Sequence, residues 1–263
     1  MEIIITNSNE TLSVPLSDRG LQYGDGFFTT AKVKNGQVEY LDAHLARLAE
    51  CAKRLYFENF DLDSVSDALQ NAVSKRELAV AKVIVTRGSG GRGYQIPQSQ
   101  QPTVIIVISD YPAGYSALKT KGVELDTLDT LLAKNPLLSG LKTLNRLEQV
   151  IAKREIQQKG LSEGLLRNID GEVIETSIAN LIIRSDDKLF TPDLSNSGIA
   201  GIYLNVLKKR FNVESCSLSL DDFYQAKSVY CCNSLMGLVP VTRIDDTHFD
   251  LSDALSFIGE HNL

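Results

Sequence analysis

The 263-residue chain predicts an α+β protein built as two lobes, and three observations carry that expectation. Strand-like and helix-like stretches are interspersed without the regular strand–helix–strand alternation of a doubly wound sheet. Tight-turn dipeptides, Asn35-Gly36 and Asp170-Gly171, join β-rich runs in the way hairpins do. The pattern loosens over YPAGYSALKTKG, Tyr111 to Gly122, which reads as a boundary. The expected division is an N-terminal lobe over residues 1–113, a linker over 114–122, and a C-terminal lobe over 123–263.

In chain order, EIIIT (residues 2–6) is the first expected strand, and TTAKVKNGQVEY forms a hairpin about its Asn-Gly turn. Leu41, Leu45, Leu48, Ala52 and Leu55 recur at helical spacing, giving an amphipathic helix. DLDSVSDALQNAVSKRE adds a helix whose first-turn acids suit the dipole. AKVIVT and TVIIVIS are β-branched runs on either side of a glycine-rich connection. Beyond the expected linker come a strand at VELDTL and a helix from Thr143 to Lys159 that Gly160 ends. An Asp-Gly hairpin in LLRNIDGEVIET, strands at ANLIIR and KLFTP, and a helix from about Gly201 to Arg210 follow. The chain closes with strands at NVESCSL, KSVYCC and GLVPVTRI and a helix from about Leu251.

Composition removes several classes of function. With 43% hydrophobic residues the chain can bury a substantial core, and a net charge of −6 with scattered Lys and Arg argues against a nucleic-acid surface or a basic membrane anchor. The N-terminal MEIIITNSNETLSV lacks the basic and apolar regions of a signal peptide, and no apolar run is long enough to span a bilayer. Cys51, Cys216, Cys231 and Cys232 include no C-x-x-C, and His44, His248 and His261 are scattered, so neither a disulfide framework nor a metal site is expected. A reduced, cytoplasmic protein is expected.

VIVTRGSGGRGYQIP contains Gly88, Gly90 and Gly93 in the G-x-G-x-x-G spacing of a dinucleotide fingerprint. That fingerprint requires a helix directly after the glycines. Here Tyr94-Gln95-Ile96-Pro97 and a second strand follow instead, so the nucleotide reading fails. A plain surface connection is one alternative. The other is a loop whose glycines permit positive φ while Arg87, Arg92 and Tyr94 face an anion.

Lys142, in SGLKTLNRLEQ, sits between a loop and an expected helix start, where the dipole disfavours a cation; it is either solvated or a Schiff-base amine. Glu175, flanked by apolar residues at an expected strand end, either meets water or is buried against a cation such as a protonated pyridine nitrogen. GIAGIY, Gly198 to Tyr203, opens a helix where backbone N–H groups can face a phosphate; Asn233-Ser234 stands at a strand-to-loop transition. Capping is the alternative use of both. Arg47, one turn after His44, is on its own an ordinary solvated helix residue.

Taken together, LSDRGLQYGDGFFTTAKV, HLARL, RGSGGRGY, LKTLNRLEQV, VIETSIANL and GIAGI resemble the fold-type IV pyridoxal-phosphate enzymes over most of the chain. That family includes branched-chain and D-amino-acid aminotransferases, and RGSGGRGY with LKTLNRLEQV looks most like its aminodeoxychorismate lyases. The resemblance implies a D-amino-acid aminotransferase-like architecture, a homodimer, and pyridoxal 5'-phosphate as cofactor. It implies that Lys142 binds the cofactor covalently and shuttles the proton, and that Glu175 pairs with the ring nitrogen. Arg47, the Ile202 and Tyr203 N–H groups, Asn233 and Ser234 would hold the phosphate. Arg92, Tyr94, Arg87 and Phe28 would bind the substrate, 4-amino-4-deoxychorismate, on its way to 4-aminobenzoate and pyruvate in folate biosynthesis. An aminotransferase of the same family and a cofactor-binding protein without turnover are the rival readings.

Overall fold

The structure, a computed structural model, describes residues 1–7 and 13–263; residues 8–12 of the N-terminal stretch read above lie outside the described residues. The chain divides into two compact units.

Unit 1 comprises Met1–Pro112 and Leu141–Asn145. Its elements are β1 (Glu2–Asn7), α1 (Arg19–Tyr23), β2 (Gly26–Lys34), β3 (Gln37–Val38), α2 (Leu41–Arg54), α3 (Leu62–Val73), β4 (Leu78–Thr86) and β5 (Thr103–Asp110). They form a five-stranded sheet in the order β1-β5-β4-β2-β3, with only β1 and β5 parallel. The two-residue alternation of a strand sorts its side chains. Along β2, Phe27, Thr29, Ala31 and Val33 are buried while Phe28, Thr30 and Lys32 lie on the other, less covered face. The buried face packs on Leu48 and Cys51 of α2 and Val65, Leu69 and Val73 of α3. Each such side chain contributes roughly 1.5–3 kcal/mol by leaving water. The β2–β3 turn is the expected hairpin: Asn35 and Gly36 both have positive φ, 52° and 75°, matching the twist of the strands it joins.

Unit 2 comprises Ala113–Gly140 and Arg146–Leu263. It begins with α4 (Tyr115–Lys121), β6 (Val123–Leu132), α5 (Leu147–Lys159), β7 (Gly164–Asn168), β8 (Val173–Thr176), β9 (Asn180–Ser185) and β10 (Lys188–Pro192). It continues with α6 (Ile202–Arg210), β11 (Val213–Cys216), α7 (Leu220–Tyr224), β12 (Ser228–Asn233), β13 (Gly237–Ile244), β14 (Thr247–His248) and α8 (Leu251–Glu260). The sheet runs β11-β10-β9-β12-β13-β6-β7-β8, and β8 pairs back onto β9 through Glu175 and Asn180. The central strands therefore close on themselves, which removes an exposed edge. Leu125, Leu165, Leu181, Val229 and Val239 belong to its main core. α6 and α8 cover one flank, and Ala152 and Ile156 of α5 another.

Three expectations need correction. The segment 114–122 is not a linker: it holds α4, whose Tyr115 and Leu118 pack into the main core of unit 2. The helix expected from Thr143 starts at Leu147, because Lys142 to Leu144 are held to β2 by backbone hydrogen bonds. Phe28 N–H donates to Lys142 O (2.9 Å), Leu144 N–H donates to Gly26 O (3.0 Å), and Thr143 bridges Phe27. For the same reason Leu141–Asn145 groups with unit 1 rather than with the C-terminal lobe to which Lys142 was expected to belong. The short helices α1 and α7 carry too few turns to show periodicity in sequence. Among the described residues, no helix is long and apolar enough to cross a membrane.

Candidate active site

In unit 1, pairing with β2 fixes the backbone of Lys142, and its ammonium stands 4.8 Å from the centroid of the Phe28 ring. Lys82, on the neighbouring strand, holds its own ammonium 4.8 Å from the same centroid. Two cations are thus drawn to one ring. On the opposite side of the sheet, Cys51 of α2 is buried. Burial pushes its thiol pKa up, while a hydrogen bond from the Lys142 backbone and the charge of Arg47 oppose that rise. Cys51 thus touches the backbone of Lys142 and feels the charge of Arg47. Burial lowers the Arg47 pKa to about 10, with Cys51 acting weakly the other way. A desolvated cation of this kind gains from an anion brought beside it. One turn earlier, His44 is fully buried and its Nδ1 lies 2.7 Å from Thr29 Oγ1.

The glycine-rich connection between β4 and β5 behaves as the missing helix suggested. Gly88, Gly90, Gly91 and Gly93 all have positive φ, and a Cβ on Gly88 would meet Gln101 O at 2.0 Å. Arg92 and Tyr94 are exposed on it, with the Tyr94 ring edge-on to Tyr23 at 5.4 Å between centroids.

Arg87 is a correction. It is 3% exposed, and its donors are committed to Asp25 (Nε 2.8 Å, Nη2 3.0 Å), Tyr56 O, Leu55 O and Gln100 Oε1. A guanidinium has five N–H groups, and all five are used here, so Arg87 is a structural cation with none left for a substrate. The same Asp25 also accepts from Arg19 Nε at 2.8 Å. Burial by itself would raise the Asp25 pKa; the hydrogen bonds and charges of Arg87 and Arg19 outweigh it and hold the carboxyl below its ordinary value.

In unit 2, Glu175 is 4% exposed and lies where β8 closes onto β9. Its Oε2 accepts the Ile199 N–H at 3.0 Å, and its Oε1 accepts from Gln149 Nε2 at 3.4 Å. Desolvation lowers the Arg146 pKa, and the nearby charge of Glu175 acts against that. Asn180, paired with Glu175 across the closure, donates through Nδ2 to Ile199 O at 2.8 Å. Gly198 has φ +80°, and a Cβ on Gly201 would stand 1.9 Å from Asn180 Oδ1. Glu175, Asn180 and the 198–201 turn thus form one clasp, and directly above it α6 begins. Gly201 caps α6 with no side-chain hydrogen bond, and its first turn has no acid, so the helix presents the Ile202 and Tyr203 end of its dipole without a resident anion from its own sequence.

The side chain of Asn233, which is expected with Ser234 at the phosphate, makes local bonds. Its Oδ1 accepts from Leu235 and Met236 N–H, and its Nδ2 donates to Ile178 O. Those bonds shape the turn after β12, where the neighbouring Ser234 lies. Among the residues that sequence reasoning missed, Arg19, Asp25 and Asn180 matter most. Arg19 and Asp25 stand in plain view as opposite charges within LSDRGLQYGDG. Asn180 was the polar residue opening an otherwise apolar strand.

Unit 1 offers an amine on a fixed backbone and a desolvated arginine; unit 2 offers a buried carboxylate and a helix start without an acid. In chemical type these groups suit an aldehyde, a phosphate and a ring nitrogen, as pyridoxal phosphate carries.

The chain matches the family model described as amino-transferase class IV over residues 26–244. It is 41% identical over 236 residues to an aminodeoxychorismate lyase of Vibrio harveyi, covering 88% of this chain and 87% of that one. A solved structure of 4-amino-4-deoxychorismate lyase from Pseudomonas aeruginosa matches with a TM-score of 0.90 at 35% identity, over 95% and 94% of the two chains. A putative branched-chain-amino-acid aminotransferase of Methanocaldococcus jannaschii is 29% identical over 243 residues, 88% of this chain and 83% of its own.

Proposed function

This chain belongs to the amino-transferase class IV family, and from that premise we propose that it is a pyridoxal-phosphate-dependent lyase. The reaction is conversion of 4-amino-4-deoxychorismate to 4-aminobenzoate and pyruvate. The observation that carries lyase over aminotransferase is the 41% identity to the Vibrio harveyi lyase across nearly nine-tenths of both chains, against 29% for the putative aminotransferase.

Lys142 Nζ would hold the cofactor covalently, and the same amine would take the proton from the substrate's C4. When bound, pyridoxal phosphate supplies the electron sink for the pair that proton leaves behind. Glu175, fixed by Ile199 N–H and Gln149, offers its carboxylate to the ring nitrogen and keeps that sink protonated. Arg47, the first N–H groups of α6 at Ile202 and Tyr203, and Ser234 hold the phosphate. Arg92 and Tyr94 bind a substrate carboxylate, with Phe28 bordering Lys142. Loss of enolpyruvate from C3, released as pyruvate after taking up a proton, leaves an aromatic ring, which drives the reaction forward. We place the enzyme in the cytoplasm as a homodimer, in keeping with its composition and its family resemblance.

The test is release of 4-aminobenzoate and pyruvate in equal amounts from aminodeoxychorismate with no keto acid present. Turnover that begins only when a keto acid is added, with amino-group transfer to it, would make the chain an aminotransferase. A visible cofactor band with neither reaction would make it a binding protein.

A further inference from the structure

We infer that Arg19 is a positioning residue for the substrate-binding loop, a role that rests on reading the Arg92–Tyr94 loop as the carboxylate clamp. Arg19 and Arg87 share one carboxylate, that of Asp25. Both guanidinium groups are almost wholly buried, with side chains 4% exposed, so the trio carries one more positive charge than negative in a place where water cannot solvate it. Such a charge is tolerated only if fixed dipoles take the place of water.

The two arginines find those dipoles in different places. Arg87 uses carbonyls of Leu55 and Tyr56 and the Gln100 side chain. Arg19 uses the glycine loop itself: Nη1 donates to Gly90 O (3.3 Å) and Gly93 O (3.0 Å), and Nη2 to Tyr94 O (3.4 Å). Those three carbonyls bracket Arg92. The charge that must be solvated therefore determines how the loop folds over it.

The loop's sequence and the arrangement of α1 serve that wrapping. A Cβ on Gly91 would meet Gln95 O at 2.3 Å and Arg19 Nη1 at 3.1 Å, so only glycine lets the backbone pass this close to the guanidinium. Arg19 is itself held from below. Asp18 is buried and accepts from Gly20 N–H and Thr86 Oγ1, and Arg19 N–H donates to Gly88 O at 2.9 Å. Tyr23, at the far end of α1, sets its ring against Tyr94. The short helix is thus a platform that holds Arg92 and Tyr94 in one geometry before substrate arrives, and lysine, lacking the planar fork, cannot replace Arg19 there.

The experiment compares Arg19→Lys, Arg92→Ala and the native holoenzyme in steady-state kinetics, cofactor titration and limited trypsin digestion. Arg19→Lys keeps the charge beside Asp25 and removes the fork. The expected result is a KM for aminodeoxychorismate raised about tenfold or more, the worth of one or two charged hydrogen bonds. kcat and cofactor affinity stay near native, and faster nicking is confined to the Arg92–Gly93 bond, identified by fragment mass. Gly91→Ala, which intrudes on the same contact from the exposed side, reproduces both effects if Arg19→Lys fails to fold. Native KM and native nicking in these variants overturn the inference. So does a parallel fall in kcat, cofactor affinity and overall protease resistance, since that is the signature of a merely structural cation. If Arg92→Ala leaves KM native, the clamp reading falls by itself, and nicking still decides whether Arg19 orders the loop.

Discussion

His44 gives the chain a specific acid sensitivity that can be worked out from its surroundings. The imidazole is fully buried, and its Nε2 meets no protein hydrogen-bond partner among the described residues. Burial first, and the charge of Arg47 second, push its pKa from 6.5 down to about 3. A depressed folded-state pKa means that the unfolded chain binds the proton first. The stability that neutral His44 contributes is therefore present above pH 6.5 and is lost progressively as pH falls toward about 3. At about pH 5 the unfolded imidazole is almost fully protonated and the folded one is not. The linkage relation then gives a loss of about 2 kcal/mol relative to about pH 8. Carboxylates such as Asp25 add their own losses only at lower pH, so the window from about pH 6.5 to 5 isolates the histidine. Urea unfolding across that window, read beside the His44 ring signal by NMR, measures the effect. His44→Asn, whose amide can still bond Thr29 Oγ1, should flatten the dependence by about the same 2 kcal/mol. A His44→Asn protein with the native slope, or a His44 signal that titrates near pH 6, would refute the reasoning.

Further outcomes follow from the two units. Lys142→Ala should abolish the cofactor's covalent attachment and visible band and reduce turnover at least about a thousandfold, since attachment and proton transfer share one amine; near-native rates would remove Lys142 from the mechanism. Arg87→Ala should cost about 3 kcal/mol of stability by leaving buried partners unpaired, without a selective rise in KM. A stable Arg87→Ala protein whose only defect is KM would return Arg87 to the substrate site. Gly201→Ala forces a Cβ into Asn180 Oδ1, and should cost about 1–3 kcal/mol and weaken pyridoxal-phosphate binding measurably by titration. Native affinity and stability would show that the clasp at the start of α6 does not shape the phosphate site.

Much of the local structure was legible in the amino-acid order because it depends on local chemistry. The Asn35-Gly36 hairpin, the apolar stripe of α2 and the αL stop at Gly160 follow from backbone sterics and side-chain period, which neighbouring residues alone determine. The absence of a helix after Gly93 was equally local, and it sufficed to dismiss a nucleotide fingerprint. Function class came from the order of motifs along the chain, which no single residue carried. What the tertiary structure decided was pairing between distant segments. Lys142 read as the approach to a helix start, and only β2, more than a hundred residues earlier, shows why the helix waits until Leu147. Arg87 and Arg92 read alike as loop arginines five residues apart. One is consumed by Asp25, Leu55, Tyr56 and Gln100 while the other stays on the surface. Arg19 and Asn180 stand out in the sequence as polar residues, but their roles do not, because those depend on which backbone carbonyls reach them. The reason is physical: a buried charge or amide is satisfied by whatever dipoles the fold brings within about 3 Å. That distance is a property of the folded chain.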